Sequence, residues 1–147
     1  RTGVQRYQGE VDLEGFEAAL SVSRHPVAYN GDLRTLQDFK RLSQRFPSVR
    51  SWMIGRGCLA DPFLPERIRG DIVEVPRERD RWKAFLEDLF QGYSTRLDGP
   101  GHVLNRMKAL WGYFAPAFQG RENLLKKLKK TKTPELYRAL VEDLCRP

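Results

Sequence analysis

Apolar positions in the first half of the chain alternate between helical and strand-like spacing. Leu13, Phe16, Ala19 and Leu20 recur at helical spacing within residues 12–22, and His25-Pro26 breaks the pattern. The short run Val27-Ala28-Tyr29 that follows reads as a buried strand ending in Asn30-Gly31-Asp32. Leu36, Phe39, Leu42 and Phe46 then lie three and four apart, which predicts an amphipathic helix over 33–46 that Pro47 stops. A second apolar run, Ser51-Trp52-Met53-Ile54, predicts another strand and ends at Gly55-Arg56-Gly57. A strand–helix–strand connection of this length crosses over rather than turning back, so the two strands are expected to be parallel, with both faces apolar.

The second half is helical throughout. Trp82, Phe85, Leu86, Leu89, Phe90 and Tyr93 form one stripe, broken by Asp98-Gly99-Pro100-Gly101. Val103, Leu104, Met107, Leu110, Trp111 and Phe114 form a second that Pro116 ends, and Leu124, Leu125 and Leu128 a shorter third. The fourth starts at Thr133 as N-cap, has Pro134 in its first turn, and is expected to bury Leu136, Tyr137, Leu140, Val141 and Leu144. The fold class is therefore α/β followed by all-α, the latter a small antiparallel four-helix bundle.

Composition narrows the classes. With 147 residues, 40% of them apolar, the chain can bury a core, which excludes disorder throughout. Its longest strongly apolar stretch without a charge, residues 109–120, is far short of the ~20 residues a membrane-spanning helix needs. Cys58 and Cys145 lie far apart with no His or Cys beside them, so neither a zinc site nor a disulfide framework is expected and a reducing, cytoplasmic setting fits. The chain opens on Arg1 without an initiator methionine, so it is expected to begin partway through something larger. The net charge is +7, and residues 121–132 hold six basic residues against the single acid Glu122.

Asn30-Gly31-Asp32 and Gly55-Arg56-Gly57 fall at the carboxyl ends of consecutive parallel strands. In a (β/α)₈ barrel the loops after the last two strands commonly form a phosphate site. Glycine lets the backbone approach a phosphate and aim its N–H groups, a following helix N-terminus adds partial positive charge, and Arg56 can add a charge-assisted bond. Asn-Gly-Asp is also a common turn and Gly-x-Gly a weak signal, so spacing alone leaves two ligand-free turns equally open.

The flanks of these motifs carry a resemblance. His25-Pro26-Val27-Ala28-Tyr29-Asn30-Gly31-Asp32-Leu33, followed by Trp52-Met53-Ile54-Gly55-Arg56-Gly57-Cys58-Leu59-Ala60-Asp61-Pro62, resembles the signature of the tRNA-dihydrouridine synthases. Arg1-Thr2, with Tyr7 and Gly9, looks like the remainder of that family's His-Gly-Arg-Thr segment. His102-Val103, Arg106-Met107-Lys108, Trp111 and Tyr113 are similar to its carboxyl-terminal helical region, and the order of motifs there looks most like the bacterial dihydrouridine(16) branch.

The resemblance implies an FMN-dependent, NADPH-reduced enzyme that reduces the C5–C6 bond of uridine in tRNA. It implies residues 1–72 as the last two strands and helices of a (β/α)₈ TIM barrel and residues 73–147 as a helical tRNA-binding domain. Asn30, Gly31, Asp32, Gly55, Arg56 and Gly57 then take the FMN-phosphate positions. The family's catalytic cysteine, its lysine and a histidine would precede Arg1, in a missing amino-terminal part of the barrel. No catalytic residue is therefore assigned here, and the chain alone is expected to be inactive, the intact protein monomeric. Cys58 is expected to be a small buried residue opening the last barrel helix, and Tyr29, where a small Ala is usual, to alter the cofactor wall. The RNA-binding set is Arg106, Lys108, Lys126, Lys127, Lys129, Lys130 and Lys132; Arg106 and Lys108 cannot share one helix face, so one of them is expected to be packed or paired. Trp82, Phe85, Trp111 and Phe114 are at core spacing and read as packing. Two rivals remain: an FMN barrel acting on a small molecule, and a stand-alone RNA-binding module without catalysis.

Overall fold

A computed structural model of the chain describes residues 9–70 and 78–146. Arg1-Thr2, Tyr7 and the boundary expected between residues 72 and 73 lie outside the described residues. The chain divides into two compact units, Arg1–Asp71 and Ile72–Pro147.

In the first unit, α1 (Leu13–Val22) is capped by Asp12, whose side chain accepts from the Gly15 amide. Strand β1 (Ala28–Tyr29) leads to α2 (Leu36–Arg45) and then to β2 (Ser51–Trp52). The strands pair in parallel, Ala28 opposite Ser51 and Tyr29 opposite Trp52, and the Met53 amide extends the ladder to the Tyr29 carbonyl at 2.8 Å. The helix that sequence spacing starts at residue 33 begins three residues later, because Thr35 and Asp38 form a reciprocal capping box there. Leu33 is left in the turn, buried.

The two strand faces are not alike. Tyr29, Leu42, Phe46 and Val49 are buried together, with Leu13, Phe16, Leu20 and Trp52 packed around them. Phe16 meets Tyr29 and Phe46 edge-on at 5.1 and 5.0 Å between centroids, and Trp52 lies 5.3 Å from both Tyr29 and Phe39. Ala28, Ser51 and Met53, on the opposite face, are exposed, so one face of the pair is covered and the other is not. Tyr29 thus belongs to the helix-side core.

Beyond β2 the helix expected around Cys58 is split by Asp61-Pro62 into α3 (Arg56–Ala60) and α4 (Leu64–Arg69). Asp61 organises the break: its carboxylate accepts from the Phe63 amide at 3.0 Å and pairs with Arg67 at 2.8 Å. Cys58 is half-buried rather than enclosed.

The second unit packs α5 (Glu78–Ser94), α6 (Pro100–Phe114), α7 (Glu122–Lys129) and α8 (Pro134–Cys145), with sequence neighbours in contact and α8 returning to α5. The helix ends at Phe114, two residues before Pro116, and a 3₁₀ turn, Ala115–Phe118, then carries Phe118 into the core at 0% exposure. Trp82 meets Phe114 and Phe118 edge-on, and Trp111 lies 5.2 Å from Phe118. Leu136, expected inside, is 52% exposed, while the other four apolar residues assigned to that helix are buried. Among the described residues no helix is long and apolar enough to cross a membrane.

One polar contact crosses this core: the Trp111 indole N–H donates to the Tyr137 hydroxyl at 2.9 Å. Tyr137→Phe is expected to leave that N–H buried without its acceptor and to cost about 1–3 kcal/mol in denaturant unfolding. Burial also raises the Cys145 thiol from 9.0 to about 11 and pushes the Tyr137 phenol up. The folded chain holds both protons more tightly than the unfolded chain does. The thiol's contribution is therefore whole below its ordinary 9.0 and is lost as pH rises through about 11, and the phenol's is lost at higher pH. Unfolding free energy measured across that range should be flat and then fall, and Cys145→Ala should delay the fall.

Candidate functional site

Parallel pairing in register brings the loops after β1 and β2 side by side, and one ion pair joins them. The Arg56 guanidinium lies 2.6 Å from the Asp32 carboxylate, both side chains about one-third exposed, at 35% and 32%. Arg34, a residue the motifs did not single out, approaches the same carboxylate oxygen at 3.8 Å. Asn30 and Gly55 are exposed, Gly31 half-buried and Gly57 buried.

The three glycines of this region serve different ends. A Cβ on Gly31 would strike the Tyr29 ring, meeting its hydroxyl oxygen and, at 2.6 Å, Cζ. A Cβ on Gly57 would strike the Leu33 carbonyl oxygen and lie 3.1 Å from the Arg34 Cα. In both cases the close approach that glycine permits is made by the chain itself, and Gly57 locks the second loop against the first. A Cβ on Gly55 would meet nothing within 4 Å among the described residues beyond its chain neighbours.

The helix ends differ as well. At α2 the Asp38 carboxylate accepts from the Arg34 and Thr35 amides at 3.2 and 3.0 Å, so this N-terminus already holds an anion of its own. Hydrogen bonds to Thr35, Arg34 and Arg41 hold the Asp38 carboxyl below its ordinary value despite burial, which acts the other way as the largest single influence. Its signal in the sequence is the Thr-x-x-Asp spacing. The Gly55 end of α3 has no side-chain cap. An added phosphate therefore suits the open backbone at Gly55 with Arg56 beside it, whereas the Arg34 and Thr35 amides that follow the first loop are already taken by Asp38. On this test the residues fit a phosphate group at the second loop.

The basic residues of the second unit separate into two kinds. Lys126, Lys127, Lys129, Lys130 and Lys132 are all exposed, behind a buried edge of Leu125 and Leu128. The first three crowd the last turn of α7, where the helix dipole favours cations. Arg106 is exposed, its guanidinium 5.8 Å from the Tyr93 ring centre. Lys108 is half-buried and donates to the Thr131 carbonyl at 2.9 Å, meeting the chain between Lys130 and Lys132. Of the residue pair that cannot share one face, Lys108 is the one bonded within the bundle. Arg121, the first cation of the basic window, donates to the carbonyls of Asp143 and Arg146 at 3.0 and 2.9 Å and so ties down the end of α8.

Comparison with known proteins identifies similar chains. A family model described as dihydrouridine synthase matches residues 1–142. A probable tRNA-dihydrouridine synthase of Rhizobium leguminosarum bv. phaseoli is 30% identical over 128 residues, 83% of this chain and 38% of the relative. A tRNA-dihydrouridine(16) synthase of Ralstonia nicotianae is 29% identical over 116 residues, 77% of this chain and 35% of the relative. One of the same description from Cupriavidus necator is 38% identical over 64 residues, 44% of this chain and 19% of the relative. The chain thus spans less than two fifths of the length of the curated relatives it matches.

Substitution separates the glycines that hold the loops from the one that borders open space. Gly31→Ala and Gly57→Ala are each expected to cost about 1–3 kcal/mol, the penalty of forcing atoms into filled space, whereas Gly55→Ala should cost less than either. Thermal unfolding of the three variants measures the difference, and equal losses would contradict the packing described.

Proposed function

The chain belongs to the dihydrouridine synthase family, and on that footing we propose that it is part of a flavin-dependent oxidoreductase that reduces uridine to 5,6-dihydrouridine in tRNA. In this reading residues 1–72 are the closing part of a TIM barrel and residues 73–147 the tRNA-docking domain. The barrel assignment is supported by the one-sided covering of the parallel pair. Helices pack on the Tyr29 and Trp52 face, while Ala28, Ser51 and Met53 stay exposed, as residues facing further barrel strands would.

The observation that carries the reading is the meeting of two post-strand loops on the Arg56–Asp32 pair beside open backbone at Gly55. FMN, reduced by NADPH, is the proposed cofactor; when bound it supplies the hydride for the uracil ring. This chain's share is to hold the phosphate end, through Arg56 and the backbone at Gly55, with Asn30 at the edge. Gly31 and Gly57 contribute by letting the loops close on one another, and Asp32 is read as one of the phosphate positions. Groups that bind the flavin ring or protonate the uracil are assigned outside this chain, so the chain alone is expected to form no dihydrouridine. The whole protein is read as a cytoplasmic monomer.

The tRNA surface is assigned to Lys126, Lys127, Lys129, Lys130 and Lys132 with Arg106, and Lys108 beneath them. Cations that release counterions from phosphates make affinity fall with salt, with a slope of about 0.7 to 0.9 per contact. Replacing Lys127, Lys129 and Lys130 together by Glu is expected to lower tRNA affinity and to flatten that slope by about two to three units, with the fold retained. An unchanged slope in a folded variant would leave the lysines as a solvated face. Flavin absorbance in the purified intact protein tests the other half: its absence would favour an RNA-binding module without catalysis.

A further inference from the structure

An acid beside a phosphate site repels its ligand, so Asp32 needs a reason to be where it is. Two cations converge on it: Arg56 at 2.6 Å and Arg34 at 3.8 Å reach the same carboxylate oxygen. The shorter bond spans 24 positions of sequence and joins the loops of neighbouring strands. Helix α2 does not use Asp32 as its cap, because Thr35 and Asp38 fill that role. The loops are also held without it, by the contact of the Leu33 carbonyl with Gly57. The carboxylate's bond to Arg56 fixes the direction of a long, rotatable cationic side chain.

We propose that Asp32 is a positioning residue. It does not touch the flavin phosphate but aims the Arg56 guanidinium, so that the cation is ordered before the ligand arrives. A guanidinium is a rigid fork of several N–H donors and can serve a carboxylate and a phosphate together. Ordering it in advance removes the cost of immobilising it on binding. The inference rests on the phosphate reading proposed above and changes the role of Asp32 within it, from ligand contact to support of Arg56.

The sign of one substitution separates the two roles. Affinities for FMN and for riboflavin, which lacks the phosphate, are measured by flavin fluorescence in the intact protein after its flavin has been removed. If Asp32 aims Arg56, Asp32→Asn lowers FMN affinity about tenfold and leaves riboflavin unchanged, and in an Arg56→Ala background it has an effect of less than about twofold. Asp32→Ala, with the same expected sign, serves if the amide does not fold. Tighter FMN binding on removal of the charge, or losses that simply add to those of Arg56→Ala, would overturn the proposal. A parent protein that binds FMN no better than riboflavin would instead overturn the phosphate reading on which it rests.

Discussion

Tyr29 is the side chain on which the first unit depends. A parallel pair only two residues long has too few backbone bonds to hold itself, so its geometry must come from what covers it. Tyr29 provides that cover, at 2% exposure, against Phe16 of α1, Phe46 at the end of α2 and Trp52 of β2. The same ring reaches over Gly31, so the residue that anchors the core also sets the path of the loop after β1. Through Leu33 and Gly57 that path fixes the second loop in turn. The Arg56–Asp32 pair is thus the far end of a chain of contacts that starts in an aromatic core.

The helical unit solves a similar problem with more surface. Trp82, Trp111, Phe114 and Phe118 interlock edge to face, and the Trp111–Tyr137 hydrogen bond sets α8 against α6 at one register. Around this core, Arg138 lies over the Phe90 ring at 4.7 Å and pairs with Glu87, and Lys83 pairs with Glu142, linking α5 to α8. These exposed pairs add little stability individually.

The allocation of cations carries most of the functional meaning. Arg45 is taken by Glu17, Arg67 by Asp61, Arg56 by Asp32, and Arg121 and Lys108 by backbone carbonyls. Among the described residues none of Lys126, Lys127, Lys129, Lys130 and Lys132 enters a salt bridge. A run of like charges on one short helix repels itself, and it persists here only because the apolar edge of α7, with Leu128 fully buried, pins it to the bundle. Cationic charge held on this support without salt bridges is what the proposed tRNA surface rests on.

The sequence by itself determined the element types, the parallel sense of the strands, the Thr133 cap and the lysine face, because each follows from periodicity or from one residue's local chemistry. It also carried the family resemblance, since the loop motifs are contiguous. What only the tertiary structure decided concerns partners distant along the chain. Spacing cannot say that Gly31 and Gly57 make room for Tyr29 and Leu33, nor that Arg34 approaches Asp32. Nor can it say which of Arg106 and Lys108 is bonded within the bundle, or that Leu136 faces outward while Phe118 turns in. Periodicity records which residues share a face; which face is covered, and by what, is set by contacts that exist only once the elements have packed.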